Sequence, residues 1–236
     1  MPAAITFRAP GKFPKMLGLS GNSTKPNFTE KPIIFLRSWA PRYYCTFLRH
    51  AFGDASMRQL MMSRVFTLIE PGPVVLVTTC DGNKNNIMTV SWTMVLDFTP
   101  MFAITTGAWN YSFAALQRTR ECVIAIPTVD LLDRVVGIGT CSGADTDKFA
   151  KFKLTAMPGM LVKAPLIKEC LANIECKVID LIEKHNIVVL QAVAAYEDPA
   201  RKEKRTVHAV GDGTFIVDGR RLDRSAMMAS KLPAGL

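Results

Sequence analysis

From residue 65 onward the chain is built of short β-branched runs cut by turn residues, and this texture limits its fold more tightly than any other feature. Residues 73–79, Pro-Val-Val-Leu-Val-Thr-Thr, form the clearest strand, because branched side chains pack well on a pleated surface. The run stops at Cys80-Asp81-Gly82-Asn83, a turn cluster containing Asp-Gly, and a second strand over 87–96 completes a hairpin. Pro100 punctuates, and further strands are expected at 101–106, 122–126 and 187–196. Over 171–182 the alternation puts Ile174, Cys176 and Val178 on one side. Short helices fit 111–119 and 129–136, with a helical turn at 147–152, a loop at 137–143, a charged connector at 198–205 and a hairpin-like segment at 211–219. Strands outnumber helices, and the helices are short insertions between strands. The expected class is therefore mainly β with short helices, a Greek-key-like β-barrel decorated by helices.

With 236 residues, 49% of them hydrophobic, the chain can bury a sizeable core, and its length fits one domain with an appendage. No run reaches the roughly 20 apolar residues that a spanning helix needs; even 123–138 is broken by Pro127, Asp130, Asp133 and Arg134. A membrane role is therefore not expected. The net charge of +9 would suggest a polyanionic partner if it were spread over the fold. Instead, residues 1–64 hold ten of the 29 basic residues and two of the 20 acids, which leaves 19 against 18 for the remainder. Nucleic acid is therefore not an expected partner of the domain.

Residues 1–56 are basic, rich in Pro, Ser and aromatics, and carry no sustained period of two or 3.6, so the expected domain is 57–236. Three origins stay open for the extension: a translated stretch ahead of a true start near Met57, Met61 or Met62, an arginine-rich targeting leader, or a disordered basic arm. The six cysteines, Cys45, Cys80, Cys122, Cys141, Cys170 and Cys176, form no C-x-x-C pair and have no His at metal-ligand spacing. Most sit in apolar runs, where they act as small hydrophobes, which fits a reducing, cytoplasmic location and no metal site.

The common catalytic signatures are missing. There is no phosphate-loop, H-E-x-x-H or G-x-S-x-G pattern, and Gly137-Ile138-Gly139 with Gly143 fails the dinucleotide fingerprint because Ser142 stands where the third glycine belongs. Three histidines, His50, His185 and His208, give little material for a triad, so no catalytic side chain is expected. What remains is a series of polar donors punctuating the strands: residues 86–92, 109–112 and 142–149. Alternation puts Met88, Val90 and Trp92 on one face and Thr89, Ser91 and Thr93 on the other, so one face suits a core and the other either a pocket or water. Tyr111-Ser112 at a helix start suits an anion or a plain cap, and Lys148 suits either the anion's counter-charge or an ordinary surface.

The order P-x-P-V-V-L-V-T-T (71–79), N-x-M-T-V-S-W (86–92), Tyr111-Ser112, S-G-x-x-x-D-K-F (142–149), P-L-I-K-E-C-L-A-x-I-E-C (165–176) and G-D-G-T-F-I-V-D-G (211–219) resembles the flavin reductase-like, FMN-binding split-barrel family, near its flavoredoxin type. The likeness covers about 66–228. It implies a homodimer holding FMN without a covalent link near the subunit interface. By the same resemblance Asn86, Met88, Thr89, Ser91 and Trp92 would contact the ring or ribityl chain, Tyr111, Ser112 and Lys148 would face the phosphate, and Ser142 with Gly143 would close over the cofactor. The implied activity is electron transfer through FMN, from NAD(P)H as co-substrate or from a redox partner protein. The alternative is a non-catalytic flavin-binding sensor or scaffold. Some reductases of the wider family carry Gly-Asp-His near the last barrel strand, on the nicotinamide side. Here residues 183–186 read Glu-Lys-His-Asn, which favours the flavoredoxin-like branch.

Overall fold

In the computed structural model, which describes residues 57–82 and 84–233, the hairpin around Asp81-Gly82 forms. Its register runs from Val75↔Val90 to Asp81↔Lys84, and Gly82 takes the positive φ (62°) that the tight turn demands. The strands are β1 (Arg58–Gln59), β2 (Val75–Asp81), β3 (Lys84–Val90), β4 (Thr93–Asp97), β5 (Met101–Thr105), β6 (Glu121–Ile126), β7 (Ala156–Met157), β8 (Leu166–Ile167), β9 (Ala172–Ile182), β10 (Ile187–Glu197), β11 (Val207–Ala209) and β12 (Phe215–Val217). Among the described residues there are five short α-helices: α1 (Met62–Val65), α2 (Ser112–Thr119), α3 (Leu132–Gly139), α4 (Lys148–Lys151) and α5 (Ser225–Met228).

The main sheet is antiparallel in the order β3-β2-β6-β9-β10-β5-β4, with β1 added to β10. Its two edges, β3 and β4, are consecutive in sequence. The single strand expected over 87–96 is therefore two strands, broken at Ser91-Trp92, because β3 pairs with β2 while β4 pairs with β5 at the opposite end of the sheet. Rolling the sheet brings these edges together as the seam of a split barrel. Bulges between Val189 and Leu190 and between Ala192 and Ala194 lie in its longest pair, β9–β10, where they bend the sheet.

The barrel interior takes alternate residues, including Val75 and Val77, Phe102 and Ile104, Cys122, Ile124 and Ile126, and Ile174 and Cys176. Neighbouring residues are buried as well. Leu76, Ile87 and Ala125 pack outward under α3 and the 3-10 turn before it through Leu131, Val135 and Ile138, while Val123 and Ala194 pack under the segment carrying β7 and β8. Burial on both faces explains why these strands read as unbroken apolar runs rather than as alternation. Glu175, fully buried on β9, fixes that covering segment by accepting the backbone N–H groups of Met160, Leu161 and Val162 at 2.9, 2.6 and 2.8 Å.

Other expectations are corrected in detail. The helix expected at 129–136 begins as a 3-10 turn and continues as α3 through Gly137 and Gly139, which the sequence suggested were loop. The segment 211–219 supplies only β12, whose partner β11 lies in the preceding stretch. His185 sits in the 3-10 turn Glu183–His185. Cys45 lies outside the described residues; Cys122, Cys170 and Cys176 are buried, while Cys80 and Cys141 are half-buried.

Candidate functional site

At the seam, β3 presents a polar strip to the start of α2. Asn86, 6% exposed, donates from Nδ2 to Ser112 Oγ at 2.8 Å, and Ser112 itself is 1% exposed. Two residues earlier on the same strand face, Lys84 Nζ donates to Tyr111 Oη at 3.0 Å and lies 4.9 Å from that ring's centroid. The N-cap residue Tyr111 makes no side-chain capping bond, and the first turn of α2 contains no acid. Asn110 Nδ2 instead donates to Thr106 Oγ1 at 3.0 Å. The capping reading of Tyr111-Ser112 is thus not realised by a side chain, and although Phe113 N–H bonds to Asn110 O at 2.9 Å, the helix start carries no acid that would repel an anion.

The 142–147 loop meets the same strip. A Cβ on Gly143 would lie 2.1 Å from Asn86 Oδ1, so this close approach of backbone to a buried side chain requires glycine. Ser142 Oγ accepts from Ala144 N–H at 3.1 Å and shapes the turn, and Asp147 accepts from Ala150 N–H to start α4. A hollow of about 110 Å³ lies between β2, β3 and α2, and a groove of about 440 Å³ runs from Lys84 and Asn85 to Gly143, Asp147 and Phe149. Lys84 borders both.

The remaining candidate residues separate by face. Ser91 and Trp92 occupy the seam, with Trp92 67% exposed. Thr89 is committed to α3: its hydroxyl donates to Val135 O at 2.7 Å. Met88 belongs to the barrel core at 4% exposure, and its Sδ accepts from Thr106 Oγ1 at 3.7 Å, so the expected ring contact is replaced by a packing role. Lys148 is corrected most. Only 6% exposed, its ammonium donates to Ile87 O and Ile138 O, both at 2.9 Å. Burial lowers its pKa, against the opposing influence of Cys141 and Asp145. It staples the outer edge of β3 to the C-terminal end of α3, where a cation is favoured by the carbonyl dipoles.

Two residues were missed in the sequence. Lys84 was detectable as the residue two before Asn86, on the same face of a strand. Thr93 had been placed on the polar face but given no role; its Oγ1 is buried and, among the described residues, is the one side-chain N or O atom of this kind without a hydrogen-bond partner. An orphaned hydroxyl beside the seam, a helix start without a cap, a cation and a glycine cradle fit a phosphate-bearing ligand with a polar heterocycle. Among the described residues no group of His, Cys, Asp and Glu is arranged to hold a metal ion, and no helix is long and apolar enough to cross a membrane.

The sequence profile of the flavin reductase-like domain matches residues 68–213. The chain belongs to this family. A relative in Archaeoglobus fulgidus, an uncharacterized protein, is 40% identical over 101 residues, which span 42% of this chain and 57% of that protein. An uncharacterized Escherichia coli protein is 29% identical over 173 residues, covering 66% of this chain and 91% of its own length. Among solved structures, an FMN-binding domain of a flavin reductase-like enzyme from Shewanella baltica superposes with a TM-score of 0.66 at 21% identity, covering 71% of this chain and 96% of that one. Flavoredoxin of Desulfovibrio vulgaris gives 0.61 at 26% identity, over 65% and 90%. This flavin reductase-like chain thus shares the split barrel of FMN-binding proteins and belongs to a family of flavin oxidoreductases.

Proposed function

We propose that this flavin reductase-like protein binds FMN without a covalent bond at the barrel seam and passes electrons through it. The observation that carries the reading is the convergence of Asn86, Ser112 and Gly143 beside Lys84 and the uncapped start of α2. Bound FMN would supply the redox chemistry, and the protein would supply position and electrostatics. Lys84, Tyr111 and the first N–H groups of α2 would hold the phosphate, with Lys84 in the role the sequence suggested for Lys148. Asn86, oriented by Ser112, and the hydroxyls of Ser91 and Thr93 offer hydrogen bonds to the ribityl chain and ring. Trp92 would shield one face of the ring from water. No side chain need hold or release a proton.

Electrons arrive from NAD(P)H or from a redox partner protein and leave to an acceptor. The exposed side chains of Trp92, Met94, Leu96 and Phe98 along the edge strand β4 support a homodimer in which a second copy covers the seam. The cysteine pattern supports a cytoplasmic setting. An absorbance titration of FMN into the full chain, followed by anaerobic NADH and then NADPH, tests the reading. Saturable binding with bleaching is the result expected of a reductase. Binding without bleaching by either nucleotide, and without reduction by a low-potential carrier protein, identifies a sensor or scaffold, and no binding by folded protein overturns the flavin assignment.

A further inference from the structure

On a different part of the barrel, bordered by β1, α1 and the stretch after β12, lies a groove of about 950 Å³. It is larger than either hollow at the seam and shares no lining residue with them. Its walls carry six cationic side chains, Arg58, Arg64, Lys204, Arg205, Arg220 and Arg221. Three acids, Glu197, Asp198 and Asp218, also line it, so charge count alone decides little.

Pairing decides more. Glu197 accepts from Arg58 Nε at 2.8 Å, and Asp218 accepts from Thr206 N–H, the Thr206 hydroxyl and His208 Nε2. Asp198 is engaged too, accepting from Ala200 N–H at 3.0 Å. Arg205 is tied to Glu203. By contrast the side chains of Arg64, Lys204, Arg220 and Arg221 have no acceptor among the described residues. Among the described residues Glu197 is ion-paired with Arg58, whereas backbone and hydroxyl donors leave Asp198 and Asp218 charged, so four unpaired cations face two carboxylates and the groove keeps an excess of positive charge. That excess favours an anion with several oxygens, which guanidinium forks bind in pairs. Leu60, Leu68 and Leu171 add apolar residues to the lining.

We infer that this groove is a second ligand site, separate from the seam, for a small molecule carrying at least two phosphates, such as a nucleoside diphosphate. The inference does not rest on FMN binding. Its test is calorimetric titration of the full chain with ADP and, separately, with pyrophosphate at low ionic strength, using wild type and the double variant Arg220→Gln/Arg221→Gln. Both side chains are exposed and unpartnered, so the variant folds, and an unchanged far-UV spectrum and unfolding midpoint check this. Saturable binding weakened at least tenfold in the variant, with FMN affinity unchanged, is expected. Equal affinities for ADP and pyrophosphate identify the diphosphate as the recognised group, and tighter ADP binding adds the nucleoside. Absence of saturable binding, equal affinity in the variant, or displacement of ADP by equimolar FMN would each overturn the proposal. Loss of FMN binding in Asn86→Leu with ADP binding intact would separate the two sites.

Discussion

Replacing Lys148 with Met tests whether this buried cation serves the fold or the ligand. The side chain would keep its approximate length but lose two hydrogen bonds, to Ile87 O and Ile138 O, each at 2.9 Å. Hydrogen bonds to a charged group contribute about 1.5–3 kcal/mol each, so the gross loss is about 3–6 kcal/mol. Relief of burying an ammonium acts in the opposite direction, because burial is what lowers the pKa of Lys148. The net destabilisation should therefore fall near the lower end, about 3 kcal/mol, as two carbonyls lose their donor. With a urea dependence of about 2 kcal/mol per molar, the unfolding midpoint should drop by about 1.5 M. FMN affinity, measured on the folded variant in the cold, should change by less than about threefold, since Lys84 rather than Lys148 faces the phosphate. A midpoint shift under about 0.3 M, or a loss of FMN affinity above tenfold without loss of stability, would refute the argument.

Other outcomes follow from neighbouring contacts. Gly143→Ala should force Asn86 off its bond to Ser112, weakening FMN binding at least tenfold and costing about 1–3 kcal/mol of stability, read by flavin titration and urea unfolding. Met94→Glu on the exposed face of β4 should convert a dimer to a monomer in sedimentation velocity, and an unaltered dimer would move the interface elsewhere. Burial works to raise the pKa of Asp218, but bonds from Thr206 and His208 outweigh it and hold the carboxyl below the ordinary aspartate range. Its stabilising contribution is therefore complete above the unfolded value of about 3.9 and lost as pH falls through the lower folded value. The unfolding midpoint of Asp218→Asn should accordingly depend less steeply on pH between about 5 and 2 than that of wild type; parallel profiles would remove this assignment.

Much of the fold was legible because burial and turn chemistry leave local marks. The run Val74-Val75-Leu76-Val77 shows a strand buried on both faces, and Asp81-Gly82 shows where it turns. The break at Ser91-Trp92 was not legible, since nothing in the apolar pattern of 87–96 tells which sheet edge each half will join. Closure is a long-range event, and its consequence for Trp92 is a place at the seam rather than on a continuous face. Helix α3 ran past its expected end because Ile138, packed against Leu76 and Ile87, outweighs the low helix propensity of Gly137 and Gly139.

The candidate site divides along the same line. Asn86, Ser112 and Gly143 could be picked as polar or small residues at strand and helix ends, but their mutual contact depends on three elements that only the closed barrel brings together. Lysines show the limit most clearly. By type alone Lys84 and Lys148 are equal candidates for a phosphate, and the D-K-F motif favoured the second. Burial reverses the order: Lys148 has spent two donors on backbone carbonyls that edge strand β3 and the end of α3 would otherwise leave bare, whereas Lys84 remains exposed between two hollows, held by a neutral Tyr111 hydroxyl. A cation whose partner is neutral keeps its charge available to an incoming anion. The same distinction, between charges satisfied within the fold and charges left facing a concavity, separates Arg58 and Arg205 from Arg220 and Arg221 in the second groove.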